Sequence, residues 1–60
     1  MNNREAMLRV EAETGLKITA TRQAVTCTPG HEPEIIILYV SGDNVIAEHN
    51  EVAKTITFTL

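Results

Sequence analysis

The sequence predicts an α+β domain, one N-terminal helix packed on an antiparallel sheet of about four strands. Three observations carry that expectation. The first fourteen residues are rich in helix formers and stop at Gly15; the remainder of the chain is dominated by Thr, Val and Ile; turn residues break it at "TPGHEP", "SGDN" and "HN". Sixty residues make a single domain, 1–60, with no internal repeat or linker. A chain this short buries only about 60% of the surface it exposes when unfolded, so its stability margin is thin.

The segment "NNREAMLRVEAETG" reads as a helix over residues 3 to 14. Asn2 or Asn3 can cap its first turn, and Glu5 sits near the positive end of the dipole. Gly15 suits the left-handed position that closes a helix, with Leu16 packing back near Val10. Ala6, Met7, Val10 and Thr14 share one face, while Leu8 and Ala12 fall on another. A strand reading competes, because Leu8, Val10 and Ala12 alternate with Arg9, Glu11 and Glu13. The helix is preferred because Glu, Ala, Met, Leu and Arg form helices readily and only Val10 is β-branched before Thr14.

"LKITATRQAVTCT" is strand-like, with Leu16, Ile18 and Ala20 on one face and Val25 and Cys27 of the opposite parity. That change of phase predicts a bulge near Arg22 to Ala24. Pro29-Gly30 marks a turn, and "EIIILYVS" is apolar on both faces, as a central strand should be. "SGDN" is a tight reversal, "VIAE" a short strand and "HN" a second turn. "EVAKTITFTL" then alternates, with Val52, Ile56, Phe58 and Leu60 inward and Thr55, Thr57 and Thr59 outward. The helix is expected to cover a face made by Leu16, Ile18, Ile36 or Ile37, Ile56 and Phe58.

Charge is distributed unevenly. All five Lys and Arg residues (Arg4, Arg9, Lys17, Arg22 and Lys54) lie outside residues 23–53, and five of the eight acids (Glu32, Glu34, Asp43, Glu48 and Glu51) lie inside. Such asymmetry bears on partners rather than on fold. It argues against direct nucleic-acid binding, which needs a basic patch. In a simple meander, Glu32, Glu34, Glu48 and Glu51 gather at one end of the sheet with His31 and His49, and Asp43 sits at the other. Two readings stay open: an anionic surface built to dock on a basic one, or ordinary solvated turn acids.

Other chemistries find less support. Cys27 is the only cysteine, so no internal disulfide forms, and a reducing, cytoplasmic setting is expected. No signal-like segment follows Met1, and the longest apolar run is Ile35 to Val40, far short of the roughly 20 residues of a membrane helix. Cys27, His31, Glu48 and His49 could meet at the acidic end, yet their spacing matches no zinc pattern, and no metal or cofactor is expected. No nucleophile motif or phosphate loop is present, so the chain is not expected to be an enzyme. Tyr39 is expected to lie in a strand with its hydroxyl at the sheet margin, and Arg22 to pair with Glu34.

"NNREAMLRVEAETGLKIT", followed by acidic hairpins, resembles the small phage-encoded anti-CRISPR inhibitors in general character over the full length. That resemblance implies stoichiometric binding to a host defence complex of the RNA-guided type. Acidic members occupy the basic groove meant for target DNA, so Glu32, Glu34, Glu48, Glu51 and Asp43 would stand in for phosphates. A competing class is a structural or regulatory subunit that self-associates, or adds a strand to a partner, through a sheet edge. The free chain is expected to be a monomer or a weak homodimer.

Overall fold

The computed structural model describes residues 2–59. The order is α1 (Asn3–Thr14), β1 (Ala20–Thr26), β2 (Glu34–Ser41), β3 (Asn44–Asn50) and β4 (Thr55–Phe58). The strands form one antiparallel meander, β1-β2-β3-β4, with α1 laid across one face. This is the expected α+β arrangement.

Helix α1 starts and stops where its side chains satisfy free backbone groups. The Asn2 side chain accepts a hydrogen bond from the Glu5 N–H at 2.9 Å. At the other end Gly15 takes a left-handed φ of 71° and donates its N–H to the Glu11 carbonyl at 2.9 Å. Glu11 also ties the connection to β1 back onto the helix, its Oε2 accepting from the Ile18 N–H at 2.9 Å. Ala6 and Val10 are fully buried and Met7 half-buried, as the helical spacing predicts, while Leu8 points away and stays 59% exposed.

In-register residues of neighbouring strands share a face. The helix-side face is therefore Thr21, Gln23 and Val25 on β1, Ile35, Ile37 and Tyr39 on β2, Ala47 and His49 on β3, and Ile56 and Phe58 on β4. Of the two isoleucines offered by the sequence, it is Ile37 that packs against α1. The core joins it to Ala6, Val10, Ile18, Tyr39, Ile46 and Ala47. Helix α1 packs over β3 and leaves β1 uncovered.

Several expectations are corrected. The bulge is not near Arg22: β1 pairs with β2 without interruption from Ala20↔Val40 to Thr26↔Glu34. The irregularity falls between β2 and β3, where Tyr39 faces Ala47 and Val40 faces Val45, leaving Ile46 without a partner. The extra residue breaks the in–out alternation of β3 there, and the adjacent Ile46 and Ala47 are both fully buried. The change of phase read from Leu16, Ile18 and Ala20 has another cause: Leu16 and Ile18 lie in the connection before β1, not in the strand. Strand β3 runs on through His49 and Asn50, so "HN" is not the turn. The reversal is Glu51 to Lys54, held by the Asn50 side-chain oxygen, which accepts from the N–H groups of Val52 and Ala53 at 3.0 Å each. Val52 is consequently a turn residue, 74% exposed, and not part of the core. Phe58 keeps 37% of its surface in solvent, and Leu60 lies outside the described residues.

Candidate functional site

The surface opposite α1 has no second layer among the described residues. It carries Ala20, Arg22, Ala24 and Thr26 on β1, Glu34, Ile36 and Leu38 on β2, Glu48 and Asn50 on β3, and Thr55 and Thr57 on β4. Alternate residues of one strand point to opposite faces, so this assignment follows from the helix-side one. Ile36 and Leu38 lie on it with no layer above them.

Glu34 opens β2 beside the β1–β2 loop, opposite Thr26. Its Oε2 accepts from the Asn50 side-chain amide at 2.7 Å. Asn50 thus braces two things at once, the Glu34 carboxylate through Nδ2 and the β3–β4 turn through Oδ1. Glu48 stands one step along the same face, between Leu38 and Thr57. With Ile36, Asn50, Thr55 and Thr57 it lines a shallow depression of about 180 Å³. That is below the ~300 Å³ at which small-molecule pockets usually begin. A flat partner surface fits it better than an enclosed ligand.

Glu32 lies exposed in the β1–β2 loop, and Glu51 exposed in the β3–β4 turn, which a meander places at the same end of the sheet. Asp43 is exposed in the Gly42-Asp43 turn at the far end. The fold therefore gathers Glu32, Glu34, Glu48 and Glu51 toward one end and separates Asp43 from them. Lys54 shares the turn with Glu51, held at a φ of 57°. Arg22 does not pair with Glu34. It stands across from Leu38, with Glu48 on the far side of that leucine, and Glu34 bonds Asn50 instead. Among the described residues the one ion pair is Arg9–Glu13 at 3.6 Å on the helix, an exposed contact of small consequence.

The four residues weighed for metal binding are not brought together. Glu48 and His49 are neighbours on β3 and so point to opposite faces, His49 into the core and Glu48 outward. Among the described residues no three His, Cys, Asp or Glu side chains are placed to share an ion.

Sequence reasoning missed the buried polar pair beneath the helix. Tyr39 is fully buried, not at the sheet margin, and its hydroxyl lies 3.1 Å from Nδ1 of His49, also fully buried. Their rings stack at 6.1 Å with a 20° angle between planes. If the tyrosine donates to Nδ1, the proton of His49 sits on Nε2, which has no protein partner among the described residues. The signal that could have found the pair is parity: with β3 extended to Asn50, His49 falls in step with Ala47 and opposite Ile37. Burial pushes the Tyr39 phenol above its ordinary 10.0, and the negative charge of Glu51 adds to the effect.

No helix among the described residues is long and apolar enough to cross a membrane. No family model, curated protein or solved structure matches this chain.

Proposed function

We propose that this chain is a small protein-binding inhibitor that docks through its acidic sheet end onto a basic, nucleic-acid-binding surface. The partner implied by the resemblance of the sequence is a host defence complex of the CRISPR surveillance type, whose target-DNA groove the acids would occupy. The observation that carries the reading is the placement of Glu34 and Glu48 on an uncovered face beside Ile36 and Leu38. Glu32 and Glu51 extend the same negative field around the adjacent loop and turn. Charges in this arrangement raise association rates, and the apolar centre supplies contact area that charge alone does not.

A second feature supports a rigid docking face. Glu34 is held by Asn50, and Asn50 by the turn it caps, so the carboxylate does not have to be ordered on binding. The test is capture of partners from a bacterial lysate carrying such a complex, at low and high salt. A variant with Glu32→Gln, Glu34→Gln, Glu48→Gln and Glu51→Gln should lose at least about tenfold in affinity at low salt, because each step of ~1.4 kcal/mol is one decade. The amide oxygen that Glu34→Gln introduces can still accept from Asn50, so the fold should survive the change. Asp43→Asn, at the far end, should bind as the native chain does. A quadruple variant that is folded and binds undiminished would sink the proposal.

A further inference from the structure

The two edges of the sheet are not alike. β4 is four residues long, which is one way proteins keep an edge from pairing. β1 is seven residues long, regular throughout, free of proline, and almost entirely exposed. Its single charge is Arg22. Helix α1 leans over β3 and does not cover it.

Two shapes flank this edge on the helix side. At one end, between α1 and β1, runs a groove of about 320 Å³ lined by Asn3 and Met7 of the helix, Thr21, Arg22 and Gln23 of β1, and Ile37 and Tyr39 of β2. At the other end Val25 and Ile35 stand directly across from each other and project into solvent, 61% and 54% exposed. A groove and an apolar knob on the same strand are what a self-complementary interface needs, because a two-fold axis carries each onto the other.

We propose that two copies of this chain pair antiparallel through β1, with the two-fold axis at Gln23, to make one eight-stranded sheet. Facing residues across an antiparallel pair must share a face, so the axis has to pass through a residue facing its own copy. Gln23 is the centre of Ala20–Thr26, and an axis there pairs all seven residues. Each copy's Val25 then meets Thr21 of the other, which lines the groove, with Ile35 behind Val25 on the side away from the partner. Arg22 meets Ala24 and not its own copy, which an axis at Arg22 would force; like charges directly opposite are unfavourable.

The axis is perpendicular to the sheet, so both helices lie on one side and both uncovered faces on the other. The shared edge is roughly 24 Å long at the usual strand rise. That is small for a specific interface, which normally buries at least ~1,200 Å², so the dimer is weak and concentration-dependent.

Sedimentation equilibrium on the full chain, from about 10 µM to about 1 mM, should show the mass rise from 6.6 kDa toward twice that value. Gln23→Lys sets two charges face to face at the axis on an exposed side chain, and should weaken the dimer at least about tenfold. Thr57→Lys, on the other edge, should leave it unchanged. Register is read by disulfide trapping in a Cys27→Ser background. Paired residues on the axis sit ~4.5–5.5 Å apart, within disulfide reach. Gln23→Cys should therefore link to itself on mild oxidation, and Val25→Cys should not. Monomeric mass at every concentration overturns the proposal, and so does linking at Val25 as efficient as at Gln23. A dimer abolished by Thr57→Lys and indifferent to Gln23→Lys overturns it as well.

Discussion

The two faces of β2 run through similar chemistry and meet different fates. Ile37 and Tyr39 point toward α1 and are buried; Ile36 and Leu38 point away, onto a face with no second layer among the described residues, and are half-buried. The contrast is sharper within the helix-side face itself. Ile35 and Ile37 share it, yet Ile35 is 54% exposed and Ile37 only 9%. Hydrophobicity does not explain the difference, since the residues are identical. What differs is the layer above: α1 lies toward β3 and stops short of the outer end of β1 and β2. One twelve-residue helix cannot roof four strands. The domain is left with a dry strip beneath the helix, an unroofed face on the far side, and an uncovered edge.

That comparison breaks most readily at Ile46. It is fully buried at the bulge, and Ile46→Ala should cost about 2–5 kcal/mol, as other large-to-small core changes do. A domain of this size has on the order of 3–9 kcal/mol to lose, so the variant should be largely unfolded or close to it in urea titration. Leu38→Ala, on the uncovered face, should cost less than half as much. Equal costs would mean that the far face is covered in solution.

Tyr39→Phe is the next step down. It keeps the ring and removes the hydroxyl, leaving Nδ1 of buried His49 without its partner, for a loss of about 1–3 kcal/mol. The same phenol gives a pH signature. Its folded pKa lies above the unfolded 10.0, so the stabilisation of the neutral phenol is lost relative to the unfolded chain as pH rises from 10.0 through the folded value. Native protein should therefore lose stability above pH 10.0 more steeply than Tyr39→Phe does. Tyr39 is the only tyrosine, so phenolate absorbance reads its titration directly, and a midpoint at or below 10.0 would contradict the burial.

The smallest effects belong to the helix ends, which are exposed and local. Asn2→Ala removes the cap on the Glu5 N–H and should cost about 1 kcal/mol. Gly15→Ala should cost a similar ~1–2 kcal/mol through backbone strain alone, since an added Cβ meets no atom within 4 Å. Helical circular dichroism during thermal unfolding checks both. A Gly15→Ala variant as stable as native would show that the left-handed cap is not needed.

Much of this architecture is legible in the residues, and the failures have a pattern. Asn2, Gly15, Pro29-Gly30 and Gly42-Asp43 each act on the backbone within a few residues, and the helix, the loop and the tight turn fall where they predict. The acidic end is legible too, because a meander of short connections leaves one arrangement for Glu32, Glu34, Glu48 and Glu51. His49 is not. A histidine beside an asparagine looks like a turn locally, and only Ile37 and Ile56 on the flanking strands make its position interior. Val52 misleads in the opposite sense, as an apolar residue in step with a strand that begins three residues later.

By itself, then, the sequence determined the local events: one capped helix, the approximate course of four strands, and a segment without bases that forms an acidic end. These depend on φ and ψ preferences and on hydrogen bonds to near neighbours, which a stretch of chain carries with it. Tertiary structure alone decided which isoleucine is dry, that Tyr39 and His49 share a buried bond, that the bulge falls at Ile46, and that β1 is left as an open edge. Those outcomes depend on where one short helix comes to rest over the sheet, a balance of packing summed over the whole molecule.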